Sequence, residues 1–136
     1  MLVSILGTTL VDYPGRVAST LFFAGCNLRC PFCHNAELVF PELYAQTLPL
    51  KPNEVERFLV SRKGFVSGIV FTGGEPLLSD QLLDYNDMAR NLGYATKLDT
   101  NGTLPHRLET IVSRFDYIAM DIKAPPEKYE AATGSD

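Results

Sequence analysis

Cys26, Cys30 and Cys33 are the residues whose type and spacing most directly imply chemistry. They stand in the run Ala24-Gly25-Cys26-Asn27-Leu28-Arg29-Cys30-Pro31-Phe32-Cys33-His34-Asn35, and the chain has no other cysteine. A structural zinc site asks for four ligands and a disulfide framework for an even count. Three thiolates suit a [4Fe-4S] cluster in which one iron lacks a protein ligand. Such an iron can take up a small molecule, so it is a site for reaction as well as for electron storage. Two other readings are open on spacing alone. His34 completes a Cys3His zinc set, although the adjacent Cys33 and His34 are awkward as simultaneous tetrahedral ligands. The thiols can also pack as small apolar side chains with no ligand.

The elements that must position these cysteines alternate between apolar runs and helical patterns. Ala18 to Ala24, Gly68 to Thr72 and Tyr117 to Asp121 read as buried strands, and Tyr94 to Asp99 as a weaker fourth. Near-continuous apolar runs suit a parallel sheet covered by helices. Between them, Pro52 to Arg62 has proline in its first turn and Gly64 beyond its end. Asp80 to Leu92 follows Ser79 as an expected N-cap and stops at Gly93. His106 to Ser113 places Leu108, Ile111 and Val112 on one face. Strand and helix in alternation predict an α/β chain built of about four βα units with a parallel sheet.

Each unusual cluster then falls just after a strand. The cysteines follow the first, Gly73-Gly74-Glu75-Pro76 the second, Asp99-Thr100-Asn101-Gly102 the third and Asp121-Ile122-Lys123 the fourth. Barrels of parallel strands build their sites at the carboxyl ends of the strands. The segment from Gly25 to Lys51 is long for a βα connection, where about 2–6 residues is usual, and long loops of this kind are usually functional. Within it, Arg29 and His34 are placed either to donate toward the sulfurs or to face solvent.

The other clusters have specific capacities. Gly73-Gly74 lets a ligand approach the backbone without an intervening Cβ, and equally suits a tight turn. Glu75 is either a ligand contact or a charge at a helix start. Asp99 and Asp121 on neighbouring strands repel unless a cation lies near them. Lys123, two residues beyond Asp121 on an extended chain, shares its side and can serve as that charge or as a point charge for a carboxylate. Asn101-Gly102 is also a common turn pair.

Composition narrows the class. The 136 residues are one domain's worth of chain, and an apolar share of 46% is enough for a core. The net charge of -4 gives no electrostatic case for nucleic acid. No apolar run approaches the ~20 residues of a membrane span, and the start lacks the basic region of a signal peptide. Unpaired cysteines without an export signal indicate a cytoplasmic location.

Together these pieces resemble the activating enzymes of glycyl-radical enzymes, within the radical S-adenosylmethionine (SAM) superfamily. The resemblance rests on CxxxCxxC with Phe32 before its last cysteine and on Gly73-Gly74-Glu75-Pro76. It rests also on the lead-in Val11-Asp12-Tyr13-Pro14-Gly15-Arg16-Val17, on Cys33-His34-Asn35, and on the strand ends Leu98 to Gly102 and Ala119 to Lys123. It is nearest to the long form of the activators of anaerobic ribonucleotide reductase, with the pyruvate formate-lyase activators next.

The resemblance implies a partial (β/α) barrel of the radical SAM type and a [4Fe-4S] cluster on Cys26, Cys30 and Cys33. SAM would fill the open iron position and be cleaved reductively to methionine and a 5′-deoxyadenosyl radical. That radical would take a hydrogen from a glycine of a partner glycyl-radical enzyme. It implies that Phe32 and Asn35 flank the adenine, that Gly73, Gly74, Glu75, Asp99 and Lys123 surround the methionine part, and that Asp121 lies near the ribose. Asp99, Thr100, Asp121 and the Ala119 carbonyl would alternatively hold a monovalent cation. A flavodoxin or ferredoxin would supply the electron. Relatives of the long form carry two further βα units, so residues 1–136 read as an incomplete radical SAM core domain cut at its C-terminal end, with Tyr117 to Ile122 left as an open edge.

Overall fold

The computed structural model of the chain describes residues 1–134. Five strands form a single sheet: β1 (Leu2–Thr9), β2 (Ala18–Phe23), β3 (Gly68–Gly73), β4 (Ala95–Thr100) and β5 (Tyr117–Met120), in spatial order β1-β2-β3-β4-β5. β2 through β5 run parallel to one another, as the apolar runs predict. β1 is the departure. It pairs antiparallel to β2, with Leu2 opposite Phe23 and Thr9 opposite Ala18. Its sequence hides it, because Gly7 interrupts the apolar residues and the register shifts twice along the pair. Its place is decided by the exposed flank of β2, which no local pattern reveals.

The helices are α1 (Ala36–Val39), α2 (Pro41–Tyr44), α3 (Pro52–Ser61), α4 (Leu82–Asn91), α5 (Pro105–Ile111) and α6 (Tyr129–Thr133). α3 begins at its proline, and Glu54 accepts a hydrogen bond from Lys51 N at 2.8 Å in its first turn. The expected Ser79 N-cap is corrected. α4 starts later, at Leu82, and Ser79 instead closes a 3₁₀ turn over Pro76–Leu78. Its Oγ accepts from Gln81 N at 3.3 Å, which shapes the approach to the helix. α5 ends at Ile111, and a 3₁₀ turn over Val112–Arg114 follows it.

The two faces of the sheet differ, and the difference positions the site. Parallel register aligns Leu21, Phe71, Leu98 and Ile118 on one face. There they pack with Val55 and Leu59 of α3, with Leu82, Tyr85 and Ala89 of α4, and with Ile111 of α5. Phe71 meets Phe115 edge-on at 5.9 Å, and Phe23 meets Tyr85 at 6.3 Å. Such pairs add about 0.5–1.5 kcal/mol each beyond their buried area. The opposite face carries Thr20, Val70, Lys97 and Tyr117 in one aligned row, and Asp99 beside Ala119 in the next. Tyr13 covers part of it, packing on Ala18, Val70 and Ala95 and stacking 6.0 Å from Tyr117. The Tyr13-Pro14-Gly15-Arg16 lead-in is therefore a lid on this polar face, with the Arg16 guanidinium over the Tyr13 ring.

Among the described residues β5 is a sheet edge. Tyr117, Met120 and Ile122 along it are exposed. An unpaired apolar edge invites pairing with another chain. Light scattering on the 136-residue protein should therefore show association that rises with concentration, and Ile122→Lys should reduce it. A strictly monomeric wild type would contradict this expectation. No helix among the described residues is long and apolar enough to cross a membrane.

Candidate active site

Parallel pairing brings the carboxyl ends of β2 to β5 to one edge, and a pocket of about 320 Å³ opens there. Volumes of this order fit small-molecule sites. Cys26, Cys30 and Cys33 line one side of it, together with Phe32 and Asn35. Gly73 and Gly74 line it from the end of β3, Asp99 and Thr100 from β4, and Asp121 and Lys123 from beyond β5. Residues separated by up to 97 positions in the sequence, Cys26 to Lys123, thus share one cavity.

The cysteine segment is tied down at several points. Gly25 N donates to Leu38 O at 2.7 Å, closing the loop over α1, where Val39 is buried. Arg29 N donates to Thr133 O at 2.7 Å, so α6 pins the stretch between the first two cysteines. The Arg29 guanidinium donates to the carbonyls of Cys26 and Leu28, at 2.6 and 2.8 Å, and lies over the Phe40 ring. Of the two side chains expected either to face the sulfurs or to face solvent, Arg29 is thus committed to backbone, while His34 lines the pocket. Asn35 precedes α1 without a capping hydrogen bond from its side chain.

All three cysteines are free and partly exposed. No three His, Cys, Asp or Glu side chains among the described residues converge closely enough to hold one ion in common. A Cys3His zinc site needs its donors around a single point. A cubane asks less, because each thiolate takes its own iron. Three thiols spread around one open cavity fit that group. Burial pushes the Cys26 thiol above its ordinary range, so metal uptake here must release a proton.

The carboxylates carry their own counter-charges. Lys97, buried on β4, donates from Nζ to Asp99 at 2.5 Å, and Lys123 donates to Asp121 at 2.6 Å. Burial raises the Asp99 carboxyl above its usual value, although Lys97 and Thr72 pull the other way. For Lys123, burial acts to lower its pKa, but the Asp121 hydrogen bond and the negative charges of Asp121, Cys30 and Cys33 outweigh it, and the ammonium is held more firmly. Each aspartate thus has a lysine as counter-charge within the chain. Lys97 was overlooked in the sequence, though its i, i+2 spacing to Asp99 is the same signal that marks Lys123.

Glu75 is the residue that does not reach the pocket. It is 1% exposed, and its carboxylate accepts from Leu77 N at 3.0 Å, Thr100 Oγ1 at 2.9 Å and Asn101 N at 2.7 Å. In the structure the Glu75 carboxylate bolts the end of β3 to the end of β4. Burial pushes its carboxyl above the usual range, against the three donors that favour the ion. Glu75→Ala strands those donors, and each buried unsatisfied group costs about 1–3 kcal/mol. Urea unfolding should show a loss of about 3 kcal/mol. A variant with unchanged stability would contradict this bracing role.

The Gly73-Gly74 turn is likewise more specific than its sequence. Gly74 N donates to Phe23 O and Glu75 N to Gly25 O, both at 2.7 Å. With those N–H groups taken, the turn has carbonyl oxygen to offer a ligand, which suits an ammonium rather than a carboxylate.

Comparison with known proteins places the chain in a family. Residues 20–136 match the radical SAM superfamily, and the chain belongs to that superfamily. A protein of Methanocaldococcus jannaschii that carries the provisional name of a glycyl-radical enzyme activating enzyme is 33% identical over 129 residues, covering 93% of this chain and 51% of that protein. The pyruvate formate-lyase-activating enzyme of Clostridium pasteurianum is 34% identical, covering 96% of this chain and 56% of the relative. A 7-carboxy-7-deazaguanine synthase of Methanothermobacter thermautotrophicus is 34% identical, covering 80% of this chain and 42% of the relative. Among solved structures, QueE from Escherichia coli has the same fold at a TM-score of 0.58 and 19% identity, over 75% of this chain and 52% of that one. The chain spans about half the length of these relatives. A [4Fe-4S] cluster and SAM are the cofactors that the superfamily implies.

Proposed function

We propose that residues 1–136 form one radical SAM core unit of an activase that generates a glycyl radical on a partner enzyme, of the anaerobic ribonucleotide reductase or pyruvate formate-lyase type. The observation that carries this reading is the shared pocket of Cys26, Cys30, Cys33, Asp99, Asp121 and Lys123. Identity of 33–34% to two activating enzymes along nearly the whole chain supports it.

The cluster, when bound, supplies the single electron that cleaves SAM reductively. Cys26, Cys30 and Cys33 would hold it, which would leave one iron for SAM. The carbonyls at Gly73 and Gly74 receive the SAM ammonium, and Lys123 pairs with its carboxylate as a point charge. Lys123 already faces Asp121, so SAM binding exchanges one carboxylate partner for another. Phe32, half exposed at the pocket mouth, offers an apolar face to the adenine, and Asn35 a polar edge. Asp121 would accept from the ribose hydroxyls, with Asp99 and Thr100 lining the same pocket. A one-electron carrier such as flavodoxin or ferredoxin is the donor, and a reducing cytoplasm is the compartment.

A second reading, a radical SAM enzyme acting on a small molecule, is favoured by the similarity to 7-carboxy-7-deazaguanine synthase. Anaerobic reconstitution separates the two. With SAM and dithionite, 5′-deoxyadenosine release should rise on adding a glycyl-radical enzyme, and a glycyl radical should appear by EPR. Release that responds only to small molecules would favour the second reading.

A further inference from the structure

Asn101 belongs to a turn that sequence alone explains as a turn. Its side chain does more. The amide oxygen accepts from Thr103 N at 3.0 Å and from Thr103 Oγ1 at 2.7 Å. A backbone N–H can only donate, so this oxygen cannot exchange places with the amide nitrogen. Nδ2 is therefore directed the other way, donating to Asn27 Oδ1 at 3.0 Å and standing 3.8 Å from Cys26 Sγ. Asn27 is fixed in turn, because its own Nδ2 donates to Thr103 Oγ1 at 2.7 Å. The one amide aimed at sulfur therefore has a single allowed orientation.

The backbone beneath this ring is equally constrained. Asn101 N donates to the buried Glu75 carboxylate, and Gly102 N donates to Thr100 Oγ1 at 3.1 Å. Among the described residues Cys26 is the cysteine whose sulfur receives donors, from Asn101 and, at 3.4 Å, from Leu28 N. Cys30 and Cys33 receive no such hydrogen bond among the described residues, although both line the pocket with Lys123. The three thiolates are therefore unequal before any cluster is bound.

We propose that Asn101 is a positioning residue that sets the reduction potential of the cluster by donating to the Cys26 sulfur. The inference rests on the reading of Cys26 as a cluster ligand. Hydrogen bonds to the sulfurs are among the factors that set cluster potentials. The reduced cluster carries one more negative charge than the oxidised one. A donor at sulfur therefore stabilises the reduced form more and raises the potential. Deleting it must make the cluster harder to reduce.

The test uses the anaerobically reconstituted protein without SAM, poised with dithionite at a series of potentials, with the reduced cluster counted by EPR. Asn101→Leu keeps the approximate volume and removes the donor. At a fixed potential the ratio of reduced to oxidised cluster should fall about tenfold, which is a shift of ~59 mV for one electron. Thr103→Val removes the hydroxyl that donates to the Asn101 oxygen and accepts from Asn27, while the backbone N–H of residue 103 still holds that oxygen, so it loosens the amide without turning it and should produce a smaller fall in the same direction with iron content unchanged. This second variant decides the matter if Asn101→Leu fails to take up iron. An unshifted potential in an iron-replete variant overturns the inference alone. A wild-type protein that forms no [4Fe-4S] cluster overturns the reading of Cys26, and the inference with it.

Discussion

Replacing any one of Cys26, Cys30 or Cys33 by alanine should abolish the absorption of the [4Fe-4S] cluster and all SAM cleavage. The chain has three cysteines and therefore no spare thiol. His34 lines the same pocket, but it follows Cys33 directly and cannot take over a position four or eight residues away without rebuilding the loop. The loss should be complete for each position, because a cubane with two protein ligands has two open irons and no defined SAM site. Fold stability should change little by comparison. The sulfurs are partly exposed, and the loop is held by Leu38 and Thr133 through backbone hydrogen bonds that the substitution leaves in place. Iron analysis, visible absorption and 5′-deoxyadenosine release on one preparation check this. Sustained SAM cleavage by Cys30→Ala would falsify the ligand assignment.

Gly74→Ala should lower iron content, SAM affinity and stability together. A Cβ on Gly74 would lie 2.1 Å from the Gly25 carbonyl oxygen and 3.3 Å from Cys26 N. Both are backbone atoms and cannot swing aside. The same Gly25 oxygen accepts the hydrogen bond from Glu75 N, so relief of the clash pulls the ends of β2 and β3 apart. Gly73 has the same constraint, with φ of +121° and Phe23 O only 2.3 Å from the position of its would-be Cβ. A sequence reading of this pair places its effect on SAM and leaves the cluster untouched. The structure joins the two, since the atom next to Gly74 opens the cysteine segment. A stability loss of about 3 kcal/mol is expected, at the upper end of ordinary single substitutions. Gly7→Ala is the control, because nothing lies within 4 Å of that position. If Gly74→Ala kept its iron and lost only SAM, the close approach to Gly25 would not be governing the site.

Much of this molecule is legible without coordinates. Continuous apolar runs, helical spacing and glycine stops locate β2, β3, β4 and β5 within a residue or two, because inner parallel strands are covered on both faces, and β5 keeps the apolar run although it lies exposed at the edge. The parallel order then forces their carboxyl ends to one edge, so Cys26, Gly73, Asp99 and Lys123 meet as soon as the topology is known. β1 was not legible, since an antiparallel flanking strand with Gly7 inside it has no continuous run. Ser79 was misplaced because a serine before a helical pattern has the same local signature whether it caps the helix or closes a 3₁₀ turn.

What only the tertiary structure decided is the division of labour among polar side chains. Spacing puts Glu75 beside two glycines, and nothing local says whether its carboxylate faces a ligand or the protein. The neighbouring strand end settles it by supplying Thr100 and Asn101 as donors. Spacing likewise makes Asn101 a turn residue, and only Thr103 and Asn27, the latter 74 positions away, orient its amide toward Cys26. Residue type and spacing along the chain determined which chemistry this protein can hold and at which strand ends. The direction of each hydrogen bond was decided by partners far off in sequence, because a buried polar group takes whichever complementary atom the packed fold brings within reach.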